Sequence, residues 1–418
     1  MPYLIPLLAV QKVQVRNNGE EMIIKNAMTF PEYRMIDINI EDGKVVMAAD
    51  NSDVMDAGGN IVLPSFSELH IHMDSIFISD LGPVNESGTL EEGIAIWDEY
   101  KNKRLNASEL RKRVNRGIKL LLLNGVTRIR TNVDVSDHKL TALKEMIRIK
   151  NESKDVDIQI TAFPQHGIYS EKENLELLEK SLELGADNVG LAPHLEDTTE
   201  EGIRSVKTAF DLAEKYNKNI DGHIDETDDP NSRFIENMAK EKLIRNFRGS
   251  VSAGHLTAMH SYNNQYAAKV IKLIARSGIN VISNPLINMN LQGRYNSYPR
   301  IRGVTRIKEL IDNGVNVVLG QDCIMDPWYP IGSGDPLDSL FMALHIEPMM
   351  TPFFLNYSMN MLTYNAAKAF GVKNYGYSTG SEGDFIITDA KHPTEIVQYR
   401  HKKSIIIRGK IINEGGLK

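Results

Sequence analysis

The sequence predicts an α/β fold: a (β/α)8 TIM barrel carrying a small β-sandwich domain split between the two chain ends. Three observations lead there. First, four segments share one local rhythm of apolar helix end, glycine and β-branched run: LLLLNG-VTRIRT, LELG-ADNVGLA, IARSG-INVISN and LIDNG-VNVVLG. Gly125, Gly185, Gly278 and Gly314 stand where a helix C-terminus calls for a left-handed residue. Second, eight strand-like runs can be collected, and from the second onward they recur at about the 30-residue length of one βα unit. Third, most of these runs end in a polar or ionisable residue, as strands do when their C-terminal ends line the site of a barrel. A doubly wound open sheet would more commonly carry a glycine-rich phosphate loop after an early strand, and none is found.

Taken in order, residues 1–60 alternate like solvent-facing strands (QKVQVRN, EEMIIKN, MIDINI, GKVVMAA). The barrel is expected over 61–372. Its strands are IVLPSFSELHIH near 61, VTRIRTNVDV near 126, VDIQITAFP near 156, NVGLAPHL near 188, NIDGHID near 219, SVSAGHL near 250, NVISNP near 280 and NVVLGQD near 316. Between the first two lies a long stretch. Its early part, Asn85 to Thr89, is expected to loop over the barrel mouth, and Asn106 with Glu109 predicts a capping box for the helix that follows. Residues 373–418 return to strand patterning (GDFIITDA, KKSIIIRGKIINEGG), so 1–60 and 373–418 are expected to form one small β-domain.

Composition narrows the function classes. The 418 residues are 42% hydrophobic and 25% charged, ordinary for a globular protein that buries a large core. Lysine plus arginine is 48 against 55 acidic residues, a net charge of −7, which argues against a nucleic-acid partner. No apolar run reaches the roughly 18 residues of a membrane span. The N-terminal MPYLIPLLAVQKVQVRNNG has no basic lead and no small-residue cleavage site, so no signal peptide is expected. The single cysteine, Cys323, excludes an internal disulfide and points to a cytoplasmic compartment. Any metal must be held by His, Asp or Glu.

The strongest local signal is LHIHMD, where His70 and His72 end the first strand. Residues two apart in a strand face the same way, so both imidazoles point into the mouth. Later strand ends add His223, His255 and Asp322, with Glu226 three residues past His223. Three imidazoles and a carboxylate suit one divalent zinc or iron ion with an open position, leaving one of the four histidines behind the ligands. An ion so held would activate water, and Glu226 is the expected proton shuttle, so metal-assisted hydrolysis follows. Gln165 and His166 end the third strand, and Gln165 could offer its amide to a polar ring. Asp74 is expected to orient a ligand histidine. His194 is expected behind the ligands or at the surface, Asp134 and Asp137 as loop caps, and Trp328 as a pocket wall.

With HIHMD, AFPQHG, HIDETDD, GHLTAMHSYN, NPLINMNLQGR and DPWYP in this order, the chain resembles the bacterial cytosine deaminases of the amidohydrolase superfamily from about residue 60 to 372. The resemblance implies that His70, His72, His223 and Asp322 hold one divalent ion, zinc or iron. It implies that His255 contacts the metal-bound water, making Glu226, His255 and Asp322 the catalytic set. Gln165 would pair with the amide-like edge of the substrate, with Cys323 and Trp328 against it. It also implies a homo-oligomer acting on a small heterocycle. Four positions depart from the family pattern. Cys323 stands where a second aspartate is common, His166 replaces a common Glu, Asn132 a His and Gln321 a His. Exchanging an acid for a thiol removes a charge and an acceptor. A less polar wall suits a methylated ring, so cytosine, 5-methylcytosine and creatinine all stay open as the cyclic amidine that loses ammonia. Hydrolysis of a cyclic amide and a binding protein without catalysis are the competing readings.

Overall fold

In a computed structural model, the structure describes residues 21–49 and 53–414. The chain divides into two compact units. One is contributed by the chain up to Pro64 and from Gly376 onward, and the other is Ser65–Tyr375.

The smaller unit begins with β1 (Met22–Met28), β2 (Met35–Glu41), β3 (Lys44–Val46) and β4 (Asp53–Asp56), which form one sheet in the order β3-β2-β1-β4. β5 (Val62–Pro64) starts a second sheet, completed after the barrel. The larger unit then runs through β6 (Phe66–Ile71), β7 (Val126–Asp134), β8 (Asp157–Phe163), β9 (Asn188–Val189), β10 (Asn219–Ile224), β11 (Val251–His255), β12 (Asn280–Ser283) and β13 (Val317–Leu319). These eight are parallel neighbours in chain order. An isolated parallel bridge between Ile71 and Asp322 joins the last strand back to the first. The eight expected strands are thus the eight of the barrel. The chain re-enters the smaller unit with β14 (Phe385–Thr388), β15 (Lys402–Ile407) and β16 (Lys410–Glu414), giving the order β16-β15-β14-β5. Ile24, Ile38 and Ile40 of the first sheet share a core with Val62, Phe385 and Ile406 of the second, which makes this unit a sandwich.

Two expectations shift. IVLPSFSELHIH is not one strand. Val62–Pro64 pairs antiparallel with Phe385–Ile387, and only Phe66–Ile71 enters the barrel. Pro64 has no N–H to continue a ladder, so the run breaks there. The units therefore meet at 64/65 and 375/376, not at 60/61 and 372/373. The strand expected in QKVQVRN lies outside the described residues.

Helices connect the barrel strands: α1 (Leu90–Lys103) and α2 (Ala107–Leu123) after β6, α3 (Thr141–Glu152) after β7, α4 (Asn174–Leu184) after β8 and α5 (Thr199–Tyr216) after β9. α6 (Phe234–Ile244), α7 (Asn264–Ser277) and α8 (Pro285–Leu291) follow β10, β11 and β12. Gly125, Gly185, Gly278 and Gly314 all have positive φ at helix ends, as the repeated rhythm requires. The capping box before α2 is half formed. Asn106 Oδ1 accepts from Glu109 N at 3.0 Å, but the Glu109 carboxylate turns to Arg113 Nε at 2.6 Å. Among the described residues, no helix is long and apolar enough to cross a membrane.

The barrel interior holds a buried ion pair. Arg130 of β7 reaches Asp221 Oδ1 at 3.3 Å, Ser252 Oγ at 3.0 Å, Gln159 Oε1 at 3.0 Å and the Ala369 carbonyl at 2.8 Å. Removing one partner of such a pair strands the other charge. Arg130→Met is therefore expected to lower unfolding free energy by about 3–5 kcal/mol, read from urea denaturation midpoints.

Candidate active site

The C-terminal ends of four strands converge on one point. β6 carries His70 near its end and His72 follows it, β10 carries His223, β11 ends in His255, and Asp322 follows β13. His255 and Asp322 have φ of 67° and 64°, left-handed values that cost a non-glycine residue energy and cluster at functional sites. His70 Nε2 lies 3.2 Å from His223 Nε2 and 3.0 Å from His255 Nε2, and His72 Nε2 is 3.1 Å from His223 Nε2. Asp322 Oδ1 is 3.5 Å from His70 Nε2 and 3.4 Å from His72 Nε2. One ligand atom each from His70, His223, His255 and Asp322 lies within 4.8 Å of all the others. This tightest set holds His255 in place of the expected ligand His72, which lies against its edge through His223 and Asp322.

Electrostatics fit a cation between these groups. Burial, aided by neighbouring imidazoles, pushes His70 and His223 well below their ordinary value, so their lone pairs are free. Burial lowers His255 to about 4. Burial also opposes the charged form of His72, but the Asp322 hydrogen bond and the charges of Asp322, Asp74 and Asp326 raise it to about 9. Burial works against ionised Asp322 too, yet His72, His255 and His70 hold it below the usual carboxylate range. His70 Nδ1 and His223 Nδ1 are buried without a hydrogen-bond partner. Imidazole nitrogens packed this closely around a buried carboxylate oxygen suit a divalent ion better than mutual hydrogen bonding.

Glu226 stands beside this cluster, with Oε1 3.2 Å from His255 Nδ1. Burial raises its carboxyl well above the ordinary value, and the Asp322 charge adds to that. Its turn is held on both sides. Asp225, at φ 51°, accepts from Ser232 Oγ, Phe234 N and Ile235 N at 2.7, 2.9 and 3.0 Å. Asp228 takes His260 Nε2 at 2.9 Å and Gly293 N at 2.8 Å.

A small pocket opens from these groups. Gln165, Cys323 and Trp328 line it with His72, His223, Glu226 and Asp322, so each expected substrate contact is at the pocket. Leu90, Phe163, Ile287 and Leu291 complete the wall and were not expected. Phe163 stacks on His223 with ring centroids 4.1 Å apart. Its place at the end of the third strand was the available signal. Leu90 comes from α1, which the pattern left unassigned to the site. A Cβ at Gly93 would sit 2.3 Å from the Trp328 ring, so that glycine lets α1 press onto the indole. Trp328 Nε1 donates to the Leu90 carbonyl at 3.2 Å.

Several expectations resolve differently. Asp74 does not orient a histidine. Its carboxylate accepts from Asp134 N at 2.8 Å and Ser75 N at 3.1 Å, bracing the backbone between β6 and β7. Asp137 caps α3 through Thr141 N at 2.8 Å. Asp134 does more than cap, since it receives Lys101 Nζ and Trp97 Nε1, both at 2.8 Å, and so anchors α1. Both ring nitrogens of His194 are buried without a partner, and burial pushes the ring down to about 3. His166, next to Gln165, pairs with Asp98 of α1 at 3.2 Å.

A family model described as the amidohydrolase family matches residues 85–412. Among solved structures, 5-methylcytosine deaminase from Klebsiella pneumoniae, liganded with 5-fluorocytosine, is 38% identical with a TM-score of 0.90, covering 95% of this chain and 98% of that one. N-isopropylammelide isopropyl amidohydrolase of Pseudomonas sp. (strain ADP) is 27% identical over 94% of this chain and 97% of its own length. Pterin deaminase of Rhizobium rhizogenes is 26% identical over 95% of this chain and 94% of its own length.

The Asp98 hydrogen bond, opposed by partial burial, raises His166 above its ordinary 6.5. A raised folded value means that this pair stabilises fully below about pH 6.5 and ceases to do so as pH rises through the folded value. An NMR titration is expected to place His166 above 6.5, and Asp98→Asn to bring it back to 6.5 or lower.

Proposed function

This chain belongs to the amidohydrolase family and is a C–N hydrolase, and from that premise we propose that it deaminates a cytosine-type ring, with 5-methylcytosine as its preferred substrate. One observation carries the reading. The pocket joins a metal-type cluster, Glu226 and the Gln165 amide to a wall of Cys323, Trp328, Phe163 and Leu90, none of which is a carboxylate. A methyl group on the ring loses nothing by facing a thiol and aromatic carbon, whereas an acid there would be desolvated by it. The likeness to a 5-methylcytosine deaminase supports the same ring.

In this reading His70, His72, His223 and Asp322 would hold one divalent ion, zinc or iron. The chemistry such an ion supplies is a water activated as a nucleophile near neutral pH. The residues of the chain do the rest. Gln165 pairs with the polar edge of the ring and orients it. Glu226, kept protonatable by its burial, places one proton on the ring nitrogen and passes another to the departing amine. His255, with Nδ1 3.2 Å from Glu226 and Nε2 3.0 Å from His70 Nε2, would bond the attacking water from beside the ligands. A C–O bond forms and the exocyclic C–N bond breaks. Of the two water protons one ends on the ring nitrogen and one on ammonia, so the products are a ring carbonyl and ammonia.

Ammonia release from 5-methylcytosine, cytosine, creatinine and isoguanine tests this. Turnover of the first above the others is expected, and silence on both cytosines would overturn the reading. Glu226→Gln is expected to keep its metal content and lose about 10²–10⁴ in turnover, the span of one general acid–base group. Cys323→Asp should shift kcat/KM from 5-methylcytosine toward cytosine by about 10-fold or more, the scale of one methyl group in a fitted pocket.

A further inference from the structure

The barrel closes where β13 meets β6, and at this seam the ladder is reduced to one bridge. Asp322 N donates to the His70 carbonyl at 2.8 Å, and His72 N donates to the Asp322 carbonyl at 3.1 Å. One step toward the strand starts the ladder stops. The Gly320 carbonyl accepts from Ser339 Oγ at 2.9 Å, and Gly320 N donates to Ser283 of β12 at 3.0 Å. His70 N and Gln321 N would then be buried donors without an acceptor. Both are taken by one side chain. Glu68 Oε1 accepts from His70 N at 2.9 Å, and Glu68 Oε2 accepts from Gln321 N at 3.0 Å.

We propose that Glu68 is a positioning residue whose carboxylate replaces the missing rungs of the seam and presets the spacing of His70 from Asp322 before any ion binds. The inference rests on the metal reading of the cluster given above. Each oxygen of Glu68 holds the backbone of one ligand-bearing strand, one residue away from Asp322 on one side and at His70 itself on the other. Glu68, His70 and Gln321 are all at most 1% exposed, so water does not compete for these N–H groups. The neighbouring glycine makes room. A Cβ at Gly320 would lie 3.1 Å from Glu68 Oε1 and 2.9 Å from His70 Cβ. Each Glu68 oxygen faces a backbone N–H donor, so both are needed as acceptors.

Glu68→Gln turns an amide N–H toward a backbone N–H, donor against donor, and so opens one side of the seam. With the full chain stripped of metal and titrated with Co2+, the folded variant is expected to bind about 10–100-fold more weakly, as losses of ligand-supporting groups do. Its Co2+ visible absorption should change in intensity or position, which a loss of stability alone would not cause. A folded Glu68→Gln with wild-type affinity and spectrum overturns the proposal. Should that variant not fold, amide hydrogen exchange in the metal-free wild type decides. His70 and Gln321 amides are expected to be as protected as that of His223, which bonds the Leu191 carbonyl at 2.9 Å. Free exchange that slows only when Co2+ is added would assign the seam to the ion and not to Glu68. A wild type that binds no Co2+ refutes the metal reading itself, and the exchange result still judges the seam.

Discussion

Four histidine Nε2 atoms each lie 3.0–3.2 Å from a neighbouring imidazole, with a carboxylate oxygen 3.4–3.5 Å from two of them, and all are buried. Such a cluster is stable only when something holds the strands that carry it and something satisfies its lone pairs. The barrel does the first by parallel pairing. The ligands sit at or just past the C-terminal ends of their strands, so the cluster inherits the rigidity of seven ladders and of the single bridge that closes the barrel. The left-handed backbone at His255 and Asp322 shows where that arrangement costs energy. The β10–β11 ladder holds His255 and the bridge to Ile71 holds Asp322, which keeps both there.

A second layer of buried charge supports the first. Arg130 and Asp221 tie β7 to β10 inside the barrel, and Asp74 holds the β7 backbone at Asp134. Asp134 in turn holds Lys101 and Trp97, which bind α1 over the mouth. α1 presses on Trp328 through Gly93 and brings Leu90 to the pocket wall. The wall that meets the ring is therefore joined to the strand ends by a chain of buried polar contacts. Buried polar groups that are fully satisfied make one arrangement unique, and partial satisfaction would leave the mouth ill-defined.

Much of this was legible in the residues. The glycine before each β-branched run marked helix ends, and the polar ending of each run marked the barrel face. HxH at a strand end and His or Asp at three later ends located the metal-type cluster, because the period of a strand is two and its direction is common to all eight. Less local features were hidden. IVLPSFSELHIH carries a proline and two serines, yet which half enters the barrel depended on which partner strand was available. The carboxylate of Asp74 looked like a histidine partner by sequence distance, yet it found a backbone N–H across the sheet. Glu109 left its capping box because Arg113, one turn along α2, lay closer to hand. Leu90, Ile287 and Leu291 are ordinary apolar residues on helices, and no chemistry distinguishes them from core.

The sequence by itself determined the fold class, the eight strands, the split β-sandwich and the residues that converge at the strand ends. These follow from periodicity, turn chemistry and residue type, which act over a few positions. Only the tertiary structure decided which side chains share a pocket, which imidazoles are held neutral, how α1 closes the wall beside Cys323, and that Glu68 spans the seam. Those outcomes depend on distances between residues up to 253 positions apart, as at Glu68 and Gln321, and on burial that no local pattern encodes. Desolvation and hydrogen-bond satisfaction are properties of the packed chain, and they appear only when the barrel has closed.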